Sequence, residues 1–261
     1  MSNYETVKYE QRDAVGIITI HRPDAMNSFN TQLRADLLDA FSHVAEDDSV
    51  RAVVFTGEGR SFSAGADLKD MTDGNEKTVE EMLQTEYRPV LELISTMSKP
   101  VIAAVGGSAA GIGMSFALAS DLLIMSDKAF LLSPFTTISL VPDGGLNWLL
   151  VHQLGYRRAF QLSIESERIS ADRCVELGLA NKTVPADSLL DEAIKWAEAI
   201  AERAPLSVAA TKKAMRFAAT SDWASTFDVE APLQLQLRAS EDCVEGVSAF
   251  FEKRKAKFQG R

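Results

Sequence analysis

The glycine-rich stretch GGSAAGIGMSFALASD, residues 106–121, contains residue types whose spacing suits chemistry. Its opening pattern, Gly-Gly-x-x-x-Gly-Ile-Gly, predicts a tight turn that leads into a helix. Such a turn exposes backbone N–H groups at the positive end of the helix dipole, where they bind negative charge. That charge is either the pyrophosphate of a dinucleotide or an oxyanion that forms during a reaction.

The rest of the sequence argues against a dinucleotide. In a nicotinamide-dependent dehydrogenase the glycine turn follows the first strand of the fold, whereas three predicted strands precede it here. The only Tyr-x-x-x-Lys pair is Tyr4 and Lys8, near the start of the chain. Asp127, at roughly the distance expected for an acid that binds the ribose, ends a predicted strand. We therefore favour an oxyanion as the partner of the glycine turn.

The composition restricts the class of partner. The chain has 261 residues, of which 46% are hydrophobic, and a net charge of −10, which repels nucleic acid. Cys174 and Cys243 form no disulfide framework, and neither His21 nor His152 has a second ligand at metal-binding spacing, so we expect no metal. No apolar run reaches the roughly 20 residues that span a bilayer, and the first residues lack the apolar region of a signal peptide. We expect a cytoplasmic protein without a membrane partner.

The C-terminal run EKRKAKFQGR, residues 252–261, is the densest cluster of positive charge. We interpret it as a solvated helix end, where the helix dipole favours cations. RNA binding is the alternative that the net charge disfavours, and contact with a polyphosphate ligand stays open.

Apolar runs and helical periodicity predict the elements that position these residues. Strands are predicted at AVGIITIHRP (14–23), VRAVVFTGEG (50–59), KPVIAAVGG (99–107), DLLIMSD (121–127) and AFLLSP (129–134). Helices are predicted at NTQLRADLLDAFSHVAEDD (30–48, capped by Thr31 or by Asn30), LQTEYRPVLELISTM (83–97, with Pro89 in conflict with its start), GGLNWLLVHQLG (144–155) and most of the chain after Ser170. This alternation predicts an α/β fold with largely parallel sheets, followed by a helical region.

Three further motifs surround the glycine stretch in a fixed order: HRPDAMNSFN (21–30), GRSFSAGADLKDM (59–71) and VPDGG (141–145). Together with KPVIAAVGG and the C-terminal SAFFEKRKAKFQGR, they resemble the crotonase superfamily, the enoyl-CoA hydratase/isomerase family, over essentially the whole chain. The resemblance implies a spiral of ββα repeats with an acyl-CoA site in residues 1–195. It also implies that the helical residues 196–261 form a homotrimer, often paired into a hexamer. Coenzyme A enters as part of the thioester substrate, so no separate cofactor is expected.

By this resemblance, the N–H groups of Ala66 and Ile112 hold the oxygen of a thioester enolate, and two ordinary glycine turns are the alternative. Removing one such donor typically costs about 3–4 kcal/mol of transition-state stabilisation. Many relatives have glycine in place of Ile112; isoleucine keeps the N–H and is expected to narrow the pocket. The residues expected to contact the coenzyme A part are Ala25, Met26, Ala64, Gly65, Ala66, Asp67, Leu68, Gly111 and Ile112, with Lys253, Lys257 and Phe258 reaching a neighbouring subunit's nucleotide.

Two further positions bear on the reaction. At each of them the hydratases of this family carry a glutamate, and the two glutamates position and split a water molecule. This chain has Ser115 at the first position and Phe135, after Pro134, at the second. A serine hydroxyl is a poor acid or base without a partner base. The resemblance therefore disfavours hydration of the usual kind.

Asp143 is the acid that remains, in a Pro-Asp-x-Gly context that resembles aspartate-dependent enoyl-CoA isomerases. One carboxylate that reaches C2 and C4 is enough to convert a 3-enoyl-CoA into a 2-enoyl-CoA. Apolar neighbours in the sequence predict a raised pKa for Asp143: Phe135, Leu140, Val141, Leu146 and Trp148. The alternative role for Asp143 is the N-cap of the following helix.

Other reactions of the superfamily stay open as alternatives: hydratase-like chemistry, aryl-CoA dehalogenation and thioester hydrolysis. The dehalogenases use an aspartate at the Asp143 position as a nucleophile, but they also bring a tryptophan near Phe135 and a histidine on the helix 83–97, and this helix has no histidine. Glu92 lies roughly at the histidine position, where a solvated helix face is its expected role and a second acid the alternative. A non-catalytic acyl-CoA-binding oligomer is the alternative outside enzymes.

Overall fold

The structure of the chain, a computed structural model, describes residues 4–69 and 77–261. Its strands are β1 (Val7–Arg12), β2 (Val15–Ile20), β3 (Ala52–Gly57), β4 (Ser61–Ser63), β5 (Val101–Val105), β6 (Ser108–Ala110), β7 (Leu122–Ser126), β8 (Phe130–Leu132), β9 (Ile169–Ser170) and β10 (Lys182–Val184). Its α-helices are α1 (Thr31–Glu46), α2 (Val79–Met82), α3 (Arg88–Thr96), α4 (Ile112–Ala119), α5 (Leu146–Leu154), α6 (Tyr156–Glu165), α7 (Ala171–Glu176), α8 (Leu189–Ala201), α9 (Pro205–Ala218), α10 (Trp223–Arg238) and α11 (Glu241–Glu252).

The strands form two sheets that successive repeats build together. The larger sheet has the order β1-β2-β3-β5-β7-β10 and is parallel except for the β1–β2 pair. The smaller sheet has the order β4-β6-β8-β9. In each of the pairs β3–β4, β5–β6 and β7–β8, the first strand joins the larger sheet and the second joins the smaller one. The predicted α/β spiral of ββα repeats is confirmed.

The larger sheet is buried on both faces, which explains why its strands are continuous apolar runs in the sequence. Phe55 of β3 packs against Phe41 of α1 on one face, with 5.2 Å between ring centroids. On the other face, Val54 belongs to a second apolar cluster with α8. The predicted boundary between residues 195 and 196 falls within α8, whose buried residues on both sides of that point pack on the sheet.

Gly107, between β5 and β6, fixes how closely two repeats approach each other. A Cβ atom at this position would lie 1.9 Å from the carbonyl oxygen of Arg60, so only glycine fits. The contact sets β6 beside β4, with Ser108 opposite Ser61. The loops that follow β4 and β6 therefore emerge side by side.

Two helix starts are resolved by the structure. The side chain of Asn30 caps α1 by accepting a hydrogen bond from the N–H of Leu33 at 2.9 Å. The predicted conflict at Pro89 is relieved by a π-helical turn, Leu83–Tyr87, which joins α2 to α3 and places Pro89 in the first turn of α3. Proline lacks an N–H and clashes with a regular preceding turn, so the wider π-turn accommodates it.

The C-terminal helices differ from the rest of the fold because their surfaces are largely uncovered. Neither α9 nor α10 contains a buried residue. After α11 ends, the basic tail folds back, and the N–H groups of Gln259 and Gly260 donate to the buried carboxylate of Asp242. Of the run 252–261, only Glu252 therefore belongs to a helix. In the described ranges, no helix combines the length and the apolar character needed to cross a bilayer.

Candidate active site

Two glycine turns, one after β4 and one after β6, touch each other at the centre of the candidate site. Gly65 has φ +101° and Gly111 has φ +55°, a region in which side chains with a Cβ are strained. A Cβ at Gly65 would also lie 2.9 Å from the carbonyl oxygen of Ala110. The two turns that the sequence predicted as oxyanion donors are thus brought into direct contact.

The N–H groups of Ala66 and Ile112 are available for a ligand. Around Ala66, the N–H of Phe29 donates to Gly65 and the N–H of Asp67 donates to Phe29, which leaves the Ala66 N–H out of this bridge. Ile112 is the first residue of α4, so its N–H has no partner within the helix. Neither N–H donates to another group in the described part of the chain. Two such donors at adjoining turns can stabilise an oxyanion.

Ala66 and Ile112 line a cavity of about 350 Å³ that Asp143 also lines. The rest of its wall is almost wholly apolar and includes Leu68, Met82, Leu83, Tyr87, Phe135, Ile138, Leu140 and Val141. The ring of Phe135, the residue that the sequence resemblance aligns with a hydratase glutamate, approaches Gly111. An apolar wall excludes water and strengthens the interaction of the two donors with developing charge.

Asp143 does not cap a helix. The N-cap of α5 is Gly145, without a side-chain cap, and Asp143 accepts from the N–H of Leu146 through its backbone carbonyl. The side-chain Oδ1 is buried and has no hydrogen-bond partner among the described residues. Burial raises the pKa of Asp143 to about 6, against a smaller lowering by its own backbone N–H. A carboxylate with this pKa is largely ionised at neutral pH and is a stronger base than an ordinary aspartate.

Ser115 and Gly144 attach the Asp143 loop to α4. Ser115 is fully buried, and its Oγ donates to the backbone carbonyl of Asp143 at 2.9 Å. Gly144 has φ +60°, and a Cβ there would lie 2.2 Å from Cδ1 of Ile112. The residue at the first hydratase position therefore holds the acid loop against the helix that supplies one oxyanion donor. The sequence indicated the missing glutamate but gave no sign of this contact.

The residues predicted to contact coenzyme A lie close together. Met26 accepts from the N–H of Ala64 at 3.0 Å, which joins the Ala25–Met26 turn to the segment 64–68. The side chain of buried Asn27 holds this turn by donating to the carbonyl of Ser61 at 2.7 Å. No feature of the sequence singled out Asn27, because an amide that bonds to backbone forms no recognisable motif.

The side chain of Asp67 links the segment 64–68 to the segment 22–28 by hydrogen bonds. Its Oδ2 accepts hydrogen bonds from Arg22 at 3.0 Å and from Ser28 at 3.1 Å. Burial opposes ionisation of this carboxyl, but the hydrogen bonds from Arg22, from the N–H of Lys69 and from Ser28 hold its pKa below the ordinary value. The side chain of Asp67 thus serves the fold.

Other predicted residues lie apart from the cavity at the two turns. Glu92 pairs with Arg88 at 2.6 Å on an exposed face of α3, as expected of a solvated helix. Lys253, Lys257 and Phe258 do not line that cavity. Within the residues that the structure describes, no group of three or more His, Cys, Asp and Glu side chains is arranged to hold a metal ion.

The fold agrees with the comparisons with known proteins. The model of the family "Enoyl-CoA hydratase/isomerase" matches residues 10–261. A probable enoyl-CoA hydratase of Rhodobacter capsulatus is 37% identical over 260 residues, which cover 99% of this chain and 100% of the relative. The 1,2-epoxyphenylacetyl-CoA isomerase of Escherichia coli is 34% identical over 247 residues, 94% of each chain.

A solved structure of an enoyl-CoA hydratase from Bacillus anthracis superposes with a TM-score of 0.95 at 31% identity and covers 98% of this chain and 100% of its own. This chain belongs to the enoyl-CoA hydratase/isomerase family, within the crotonase superfamily. The sequence-based resemblance is thereby confirmed at the level of the family.

The buried charge of Asp143 is expected to make stability depend on pH. The pKa is about 6 in the folded chain against an ordinary 3.8, so the ionised form destabilises the fold as the pH rises from about 4 to 7. Over that window Asp143→Asn is expected to gain up to about 3 kcal/mol in free energy of unfolding relative to wild type. Urea denaturation at a series of pH values measures this gain.

The matched control is Asp222→Asn. Asp222 caps α10, and hydrogen bonds from Ser225 lower its pKa, so this variant is expected to lose stability relative to wild type as the pH rises. A stability difference between wild type and Asp143→Asn that stays constant across pH would contradict a raised pKa at Asp143.

Proposed function

We propose that this chain is an acyl-CoA isomerase that converts a 3-enoyl-CoA into a 2-enoyl-CoA. The observation that carries the proposal is the position of Asp143. It is the one carboxyl group lining the apolar cavity at Ala66 and Ile112, as far as the described residues go, and its pKa is about 6. A shift of a double bond needs one base and an oxyanion site, and it consumes no water.

In the proposed reaction, the thioester oxygen accepts hydrogen bonds from the N–H groups of Ala66 and Ile112. The Asp143 carboxylate removes a proton from C2, and the electron pair of the C–H bond moves into a dienolate whose negative oxygen the two N–H groups stabilise. The protonated Asp143 then returns the proton to C4. The thioester carbonyl re-forms, and the double bond lies between C2 and C3.

Hydration is the second candidate, because relatives named as hydratases are among the most similar proteins. The residues at the two hydratase positions favour isomerisation over hydration. The hydratase positions hold Ser115, which donates to a backbone carbonyl, and Phe135, which adds an apolar ring. Neither side chain can accept a proton from water, so Asp143 would have to activate the water without a second acid.

Asp143→Asn tests the mechanism. Loss of a positioned acid–base typically costs about 10²–10⁴-fold, so kcat/KM for hex-3-enoyl-CoA is expected to fall by that factor. In wild type, kcat/KM is expected to rise with pH through about 6 and then level off, because the ionised form of Asp143 is the base. Wild-type activity in Asp143→Asn, or a wild type that hydrates crotonyl-CoA but does not isomerise hex-3-enoyl-CoA, contradicts the proposal.

Ser115→Ala tests the attachment of the acid loop. Without the hydrogen bond to its carbonyl, Asp143 is less well placed over C2, and kcat is expected to fall about 10-fold while KM changes little, because small misplacements lower rates steeply. The control is Ser120→Ala, whose hydroxyl bonds to the carbonyl of Phe116 at the far end of α4. Equal kinetics in both variants would show that Ser115 does not position Asp143.

We also propose that the chain assembles as a homotrimer, which can pair into a hexamer. Large apolar side chains on α9, α10 and α11 are at least two-thirds exposed in the single chain: Met215, Trp223, Leu235, Phe250 and Phe251. A monomer rarely leaves so much apolar surface in water. Light scattering is expected to give three or six times the 28.5 kDa of one chain, and a monomer at micromolar concentration would contradict the assembly.

A further inference from the structure

A second cavity lies on the other side of Asp143. It has a volume of about 960 Å³ and shares Asp143, Leu83 and Tyr87 with the active-site cavity. The two spaces are therefore adjoining, and an acyl group whose C2 and C4 lie at Asp143 has room to continue into the second cavity.

The wall of the second cavity combines apolar and charged groups. Leu91, Ala119 and Leu149 supply apolar surface, and the charged side chains besides Asp143 are Arg88, Glu92 and Arg216. The carbon chain of an acyl group packs against apolar surface, whereas charged side chains need a polar partner.

The charged groups of this wall are paired unevenly. Arg88 and Glu92 pair with each other at 2.6 Å. Arg216 and the buried Lys212 share one carboxylate, Asp121, at 2.8 and 2.7 Å. No other carboxylate lies within 4 Å of either cation among the described residues, so Lys212 and Arg216 together carry one positive charge without a direct ion-pair partner. The carboxylate of Asp143, elsewhere in the same wall, pairs with neither of them.

Arg216 also has donors to spare. Its Nη2 donates to the carbonyl of Ala119 and to Asp121, whereas Nε and Nη1 have no acceptor in the described part of the chain. Nε and Nη1 lie on different edges of the guanidinium, and either can donate a charge-assisted hydrogen bond to a carboxylate oxygen. A buried or partly buried charge of this kind is stabilised by an anion.

We propose that the second cavity takes the far end of the acyl group and that Arg216 binds a terminal carboxylate there. The substrate class is then the mono-CoA thioester of an unsaturated dicarboxylic acid. The identification as a substrate rests on the proposed function, because the thioester must lie at Ala66 and Ile112 with C2 and C4 at Asp143.

Binding of saturated thioesters tests the site apart from any reaction. Calorimetry compares adipyl-, suberyl- and sebacyl-CoA with hexanoyl-, octanoyl- and decanoyl-CoA. At one chain length or more, the carboxylated ligand is expected to bind about 10-fold more tightly than its neutral counterpart, and added salt is expected to reduce this preference. Equal binding at every length overturns the proposal.

Substitutions test whether Arg216 causes the preference for carboxylated ligands. Arg216→Gln is expected to abolish the preference, with neutral ligands bound within about twofold of wild type, and Arg216→Lys, which keeps the charge near Asp121, to weaken it. The double variant Arg88→Gln/Glu92→Gln, which removes a neutral ion pair from the same cavity, is the matched control, and its preference is expected to stay within about twofold of wild type. A preference for carboxylated ligands that survives in Arg216→Gln overturns the proposal. The proposal is also overturned if Arg216→Gln changes only the oligomeric mass, because Arg216 then pairs with a carboxylate of a neighbouring copy.

Turnover separates this inference from the proposed function. Isomerisation of neutral 3-enoyl-CoAs, without a preference for carboxylated ligands, leaves the proposed function intact and overturns the carboxylate site. A binding preference without isomerisation of any 3-enoyl-CoA supports the carboxylate site and overturns the proposed function.

Discussion

The close approach of the two glycine turns is the constraint on which the candidate site depends. Gly107 lets the β5–β6 repeat approach the backbone of Arg60, and Gly65 and Gly111 then meet at the ends of neighbouring strands. Each turn has one backbone N–H without a partner among the described residues, and both of these residues line the same apolar cavity. Backbone donors of this kind are rigid because the sheets hold them, so little reorganisation is needed when charge develops on a bound oxygen.

The loop that carries Asp143 is attached to the helix that begins at Ile112. Ser115 and Ile112 lie on one helix, and both contact the loop that carries Asp143. The donor at Ile112 and the carboxyl at Asp143 are therefore positioned by a single element and not by two independent loops. The same burial that makes this arrangement rigid removes water from Asp143 and raises its pKa. Placement and basicity thus have a common cause.

The sequence predicted most of the fold because its apolar runs are long. β2, β3, β5 and β7 lie in a sheet that is buried on both faces, so each gives a continuous apolar signal. The short strands β4, β6 and β9 were not predicted, since two or three residues give no periodicity and their pairing depends on distant repeats.

The site was predictable only in part. The glycine turns and Asp143 were found because they belong to motifs with a recognisable order. The contact of Ser115 with the carbonyl of Asp143 and the tether from Arg22 to Asp67 join residues 28 and 45 positions apart, and only the folded chain shows them.

The central claim is that burial makes Asp143 a base of raised pKa at the two backbone donors. Isotope-edited infrared titration of aspartate-labelled protein, with Asp143→Asn used to assign the signal, measures that pKa directly. The account predicts a carboxyl that titrates near 6 and disappears in the variant. An Asp143 signal that titrates near 3.8 would contradict it.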